Sequence, residues 1–334
     1  MTRLNYRWIF KDEKFSMNMK DKLRLFPVAA FTLIMGLVGF AMAIKAAEKQ
    51  GMIPLEISPL VYMASVVLFI FISLVYLLKI IRHGDQVLAE FNHPIKLQFF
   101  PAISISLILI GTASYGQQHA SAGLLWSLGS GMHLVFSLII INEWLHRSSF
   151  EIIHSNPSWF IPVVGNILIP IGGVAMAPAE ISWFFFSVGL VFWIILFTII
   201  FYRLVFHPPM PGKLLPTIAI FLAPPAVGFL AYVALNGDLD NFGRILYYTA
   251  LFITMLLLVQ AGRLAKLQFS LSMWAYTFPL AAMTIASIKM LELTGARVFL
   301  VISYLILMVL VVVIASLVVR TVVAVQRNEI CVED

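Results

Sequence analysis

One stretch of this chain, Trp274 to Lys289, carries its distinctive side chains at helical intervals. At 100° per residue, Trp274, Phe278, Ala282, Ile285 and Lys289 fall within about 40° of one face, and Phe278 and Lys289 lie roughly 16 Å apart along the axis. A wall with a ring at mid-depth and an ammonium towards one rim makes and breaks no bonds. Its chemistry is non-covalent: a cation that attracts anions and an apolar bulk that obstructs them. Two plainer readings stand beside it. Phe278 is one of 27 phenylalanines, and packing is the usual work of such a ring. A lysine near the end of an apolar run can also snorkel to the interface.

The remaining reactive side chains point away from catalysis. Glu143 and Arg147 in "IINEWLHR" stand four apart, the spacing of a helical ion pair. An acid at a membrane margin can instead couple protons, but the structural pair is the simpler reading. Of the seven histidines only His133 falls in the middle of an apolar run, whereas a haem or intramembrane metal needs several facing ligands. His133 is expected to bond between helices, and His93 to shape a loop. The single cysteine, Cys331, allows no intrachain disulfide, and no Cys/His spacing suggests zinc. There is no serine/histidine/acid grouping, paired carboxylates or glycine-rich phosphate loop, so neither an enzyme nor a bound cofactor is expected.

The elements that must position these residues follow from composition. Of 334 residues 61% are hydrophobic and 11% charged, and the mean hydropathy is +0.97. A soluble domain carries roughly 25% charge, so the solvent here is the lipid bilayer. A net charge of +6 is spread between apolar runs and not clustered on a face, which argues against nucleic acid. Charge-free stretches run over 25–44, 57–78, 97–142, 152–179, 181–202, 214–237, 245–262, 267–288 and 298–319. About 20 apolar residues cross the hydrocarbon core, so the third stretch holds two crossings, with "SYGQQHASAG" (114–123) as their turn. The first stretch exceeds the roughly 7–15 residues of a signal-peptide core and reads as a retained helix.

That gives an all-α integral membrane protein of ten spans. A basic segment (1–24) precedes a transmembrane domain (25–322), and a short tail (323–334) follows. Of the 22 lysines and arginines, only Lys45, Lys49, Arg244, Lys289 and Arg297 fall on one side of such a layout; the others share the side of both termini. The positive-inside rule places that side in the cytoplasm of the cell (inner) membrane.

The prolines add a repeat. Pro27, Pro101, Pro162, Pro224 and Pro279 lie in the odd spans, within "LFPVAAF", "FFPAISI", "FIPVVGN", "APPAVGF" and "TFPLAAM", while the even spans have none in their interiors. This alternation fits a hairpin repeated five times. Proline frees a carbonyl, which bilayer proteins tolerate where backbone lines a cavity or packs inside protein. The expected arrangement places five kinked odd helices inside, around a central path, and five smooth even helices outside. Gly123, Ser127 and Gly131 form a small-residue stripe in the fourth span, suited to close packing within or between protomers.

The motifs "FNHPIKLQFFPA" (91–102), "SNPSWFIPVVGN" (155–166) and "SMWAYTFPLAAMTIASIK" (272–289) resemble those of the tellurite-resistance/dicarboxylate transporter family. That family includes the plant guard-cell slow anion channels and their bacterial homologues. The resemblance implies a ten-helix protomer of five quasi-symmetric hairpins, a homotrimer with one pore per protomer, and anion conduction. It also implies that Phe278 occludes the pore. Lys96 stands where the motif usually has arginine, and no long flanking tails imply kinase control. A lining free of charge favours anions that shed water easily, such as nitrate and chloride. Pro27, Pro101, Pro162, Pro224, Pro279, Ala282 and Ile285 are then the expected lining and kink residues, with Lys289 as an outer-rim cation. The alternative is a secondary carrier of dicarboxylate, sulfite or tellurite-type oxyanions. A carrier needs polar groups at mid-membrane, and Asn166, Thr277, Thr284 and Ser287 are the candidates, with Glu143 as a coupling acid.

Overall fold

The computed structural model describes residues 19–115 and 121–332. Most of the basic segment 1–24 and the middle of the turn 114–123 lie outside the described residues. Ten helices are long and apolar enough to cross a bilayer: α1 (Val28–Lys49), α2 (Ser58–Arg82), α3 (Lys96–Tyr115), α4 (Ala122–His146), α5 (Pro157–Met176), α6 (Ala179–Phe206), α7 (Leu215–Asn236), α8 (Asn241–Leu264), α9 (Leu271–Thr294) and α10 (Arg297–Gln326). A short amphipathic helix, Gly84–Asn92, joins α2 to α3. Left-handed glycines, Gly237 and Gly295, stop α7 and α9 where a Cβ would strain the backbone.

Each odd helix packs along the even helix that follows it, giving five hairpins. The odd helices also pack on one another: α1 on α3, α3 on α5, α5 on α7, α7 on α9, and α9 back on α1. The inner layer is therefore a closed ring. Its helices bury 67–83% of their apolar stretch, against 22–33% for the even ones, which accords with the odd-inside, even-outside expectation. The even helices turn Leu, Ile, Val and Phe outwards, as lipid requires.

The prolines do something more specific than bend helix interiors. Every odd span opens with a 3₁₀ turn: Val28–Ala30, Lys96–Phe99, Pro157–Phe160, Leu215–Leu222 and Leu271–Tyr276. None of the even spans does so among the described residues. Pro27 immediately precedes its turn, Pro101 opens the α-helical part of α3, and Pro162, Pro224 and Pro279 fall within the first three α-helical residues of theirs. Lacking an N–H, a proline there cannot bond four residues back, and the preceding segment closes i to i−3 bonds instead. Ala30 N to Pro27 O (3.1 Å), Phe100 N to Leu97 O (3.3 Å) and Met273 N to Ser270 O (3.0 Å) are examples. Among the described residues only Pro170 stands beyond the first turn of an α-helix.

In the second hairpin, α3 and α4 touch closely through Gly111 and Gly129, where an added Cβ would come within 2.6 Å and 2.8 Å of facing backbone nitrogens. The stripe Gly123, Ser127 and Gly131 faces the other way, with nothing within 4 Å of either glycine's added Cβ. It is not a seam within the protomer.

Candidate functional site

The closed ring encloses a series of cavities along its axis. At the end where α1 begins, a cavity of about 540 Å³ is bordered by Arg24, Pro27, Lys79, Glu90, His93, Lys96, Phe99 and Lys213. Phe99 also borders the next one, a void of about 30 Å³ lined by Met35, Ile105, Val164, Ala223, Trp274 and Phe278. Phe278 in turn borders a third cavity of about 210 Å³, lined by Gly39, Leu109, Leu168, Val227, Ala282, Ile285 and Lys289.

The side chains on either side of Phe278 are spaced by one turn. Met35 and Gly39, Ile105 and Leu109, Val164 and Leu168, Ala223 and Val227, and Phe278 and Ala282 pair the two cavities on all five inner helices. Four residues rise about 6 Å, so the narrow zone is short. It holds no charged side chain among the described residues, and Thr32 and Ser272 are the hydroxyl groups bordering the small void.

Several contacts fix the ring of Phe278, which is only 7% exposed. It lies against Gly39 of α1, where an added Cβ would sit 3.3 Å from its Cδ2. One turn earlier, Gly36 admits Thr277 so closely that an added Cβ would come within 2.0 Å of its Oγ1. Thr277 Oγ1 donates to Trp274 O (2.6 Å), and Trp274 Nε1 donates to Thr321 Oγ1 on α10 (3.0 Å). The 3₁₀ segment of α9 is thus held to both its neighbours.

Of the face on α9, Trp274, Phe278, Ala282, Ile285 and Lys289 all border these cavities. So does Pro279, and Pro27 borders the entrance. Pro101, Pro162 and Pro224 border none of these cavities, contrary to expectation. They are buried at helix starts, and Ile105, Val164 and Ala223 face the passage instead. For Pro162 the reason is visible, since its carbonyl accepts bonds from the outer helix α4.

Lys289 does not stand alone at the rim of the third cavity. Its Nζ lies 3.0 Å from Glu292 Oε2, and Gln50 Nε2 donates to Glu292 Oε1 (2.8 Å). The nearby turn adds Asp240, whose carboxyl is held below the usual range by the Gly243 N–H and by the Tyr232 hydroxyl. Glu143 and Arg147 form the expected ion pair at 2.5 Å, and Arg147 also donates to Asn92 O and Oδ1 (3.0 and 3.2 Å), tying the end of α4 to the approach to α3. His93 Nδ1 accepts from Ile95 N and Lys96 N, shaping that approach. His133 is fully buried, with Nε2 donating to Pro162 O (2.7 Å) and Ser104 Oγ 2.9 Å from Nδ1, so it joins α3, α4 and α5. Among the described residues, no group of three or more His, Cys, Asp or Glu could hold a metal.

The polar candidates for a substrate site are engaged elsewhere, apart from Asn166 Oδ1, which is buried without a partner. Asn166 donates to Ser137 Oγ and Pro162 O, while Thr277, Thr284 and Ser287 donate to carbonyls of their own helix. None of the four borders the passage cavities.

One buried element was not foreseen. Lys79 of α2 and Glu90 of the short helix form an ion pair at 2.9 Å, 1% and 10% exposed. Lys79 Nζ donates to Phe26 O (2.8 Å), Tyr76 OH donates to Glu90 Oε2 (3.0 Å), and Val28 N donates to Glu90 Oε1 (3.4 Å). The pair thereby anchors the start of α1 at the entrance. In sequence Lys79 is one of many span-end lysines, and nothing in its spacing marks Glu90 as its partner.

Residues 25–322 match the family profile described as "SLAC1: Voltage-dependent anion channel". The S-type anion channel SLAH2 of Arabidopsis thaliana is 30% identical over 279 residues, covering 81% of this chain and 54% of that protein. The guard cell S-type anion channel SLAC1 of the same plant is 27% identical over 280 residues, 80% of this chain and 50% of that protein. The tellurite resistance protein TehA homolog of Haemophilus influenzae is 25% identical over 282 residues, 84% and 85% of the two chains. This chain spans about half the length of the plant relatives it matches. With a family match running from the approach to α1 almost to the end of α10, and the ten-helix ring that accompanies it, the chain belongs to the SLAC1 voltage-dependent anion channel family.

Proposed function

We propose that this protein is a channel for small monovalent anions, nitrate and chloride among them, with a pore through the inner ring of each protomer and Phe278 as its occluding gate. One observation carries the reading: Phe278 stands between two cavities to which all five inner helices contribute, at a narrow zone bordered by no charged side chain among the described residues. A neutral lining offers an ion little in return for its lost water, so weakly hydrated anions pass more readily than sulfate. Cations at the entrance raise the local anion concentration without placing a charge at mid-membrane, where it would cost at least ~2.5 kcal/mol. Lys289, tempered by Glu292, does the same more weakly at the outer rim.

The polar residues a carrier would use are committed to helix–helix and intrahelical bonds, which favours conduction over coupled transport. The family resemblance supports a homotrimer, and the lysine and arginine distribution supports cytoplasmic termini in the inner membrane.

Reversal potentials and flux in proteoliposomes test the reading. The expected order is nitrate above chloride above sulfate, with no dependence on a transmembrane pH gradient. Flux that saturates at low substrate and follows the proton gradient would replace the channel with a carrier.

A further inference from the structure

Among the described residues the outer helices make no substantial contact with one another, so the outer layer is open between them. Helices α8 and α10 each pack along their own hairpin partner and make no substantial contact with each other among the described residues. Between them lies a groove of about 310 Å³ whose floor is α9 at Tyr276, Pro279 and Leu280, directly behind Phe278. Its walls at membrane depth are apolar, with Leu257 on α8 and Val312 on α10. Arg320 closes the end that lies on the side of the chain termini, and the exposed Arg263 and Lys266 flank that end. Tyr276 belongs to the lining, and its hydroxyl is buried without a hydrogen-bond partner.

We propose that this groove binds an anionic glycerophospholipid of the adjacent leaflet. The order of features matches the order of groups in such a lipid. A phosphate meets the guanidinium of Arg320, an ester carbonyl accepts from Tyr276, and an acyl chain lies along Leu257 and Val312. Guanidinium and phosphate match in geometry and charge. The buried hydroxyl supplies the second requirement, since a donor left unsatisfied in an apolar setting is costly and a lipid ester carbonyl would satisfy it. Hydrocarbon is the solvent around α8 and α10, so a chain enters without displacing water. The lipid would then brace the back of the α9 segment that carries Phe278. The site does not depend on which ion the protein passes, so it stands or falls separately from the channel reading.

Native mass spectrometry of the delipidated full chain tests it, with an equimolar mixture of phosphatidylglycerol and phosphatidylcholine as probe. The wild type is expected to retain phosphatidylglycerol in roughly fivefold preference, the factor for one cation at an anionic surface. Arg320→Gln should erase that preference, and Tyr276→Phe should weaken retention of both lipids. Ala261→Trp, which fills the groove from the lipid-facing side of α8, should remove the adduct while helicity is kept. Equal retention of both lipids by the wild type, or an unchanged preference in Arg320→Gln, overturns the proposal. A shift in oligomeric mass in Ala261→Trp with lipid retention unchanged also overturns it, because the face would then be one between copies of the chain.

Discussion

At the scale of single residues, the passage depends on what is absent as much as on what is present. Gly39 leaves room for the Phe278 ring, and Gly36 lets α9 approach α1. Gly165 plays the same part beside His133, where an added Cβ would come within 2.1 Å of the imidazole. That ring is held at both nitrogens and has no easy retreat. Gly165→Ala should therefore destabilise the protein by about 1–3 kcal/mol, the usual cost of overpacking a filled core. Thermal unfolding in detergent reads this directly, and an unchanged midpoint would mean that the helices part easily at that point. The outer rim gives a second prediction. Lys289→Gln leaves Glu292 unneutralised and should lower anion conductance at low salt, where screening is weak. The double variant with Glu292→Gln should recover much of the loss, a non-additivity expected of charges in contact. Equal conductance in all three proteins would leave Lys289 as a snorkelling lysine. The helical spacing of Phe278 and Lys289 was legible in the sequence. The contact of Phe278 with Gly39 and the bond from Gln50 to Glu292 were not, because Gly39 and Gln50 are brought there by the tertiary fold.

At the scale of elements, hydropathy and proline placement carried most of the fold. Ten crossings followed from run lengths, and the inner/outer alternation followed from prolines confined to odd spans. The 3₁₀ openings were hidden for a physical reason. A proline shows that a hydrogen-bond ladder is broken, but not how the chain on its N-terminal side rewinds. The Lys79–Glu90 pair escaped notice similarly, since its halves belong to different helices folded back on each other. Both partners are nearly buried, so removing one leaves an uncompensated charge. Lys79→Met is expected to destabilise by about 3–5 kcal/mol, and Lys79→Met with Glu90→Gln by clearly less. Chemical or thermal unfolding of the two variants decides it; equal losses would show that the pair contributes packing and not charge compensation. Because Lys79 and Glu90 hold Phe26 and Val28, the same variants should loosen the entrance of α1 before the outer end of the ring.

At the scale of the whole molecule, the hairpin ring makes each protomer a complete enclosure. No second chain is needed to close the passage, so trimerisation would serve stability or regulation and not pore formation. Mass measurement in mild detergent is expected to give three times the 37.4 kDa protomer, and a functional monomer would separate assembly from conduction. The transmembrane core is what this chain shares with the longer plant channels, so conduction properties are the ones to compare between them. The central claim is that the uncharged passage is closed by one side chain. The measurement that tests it most directly is anion current through wild-type protein and Phe278→Ala at equal surface expression. Each ~1.4 kcal/mol removed from the barrier raises the rate about tenfold, so the variant should conduct on the order of ten times more current or beyond, with nitrate still above chloride. Small and equal currents in the two proteins would contradict the account and place the barrier elsewhere along the ring.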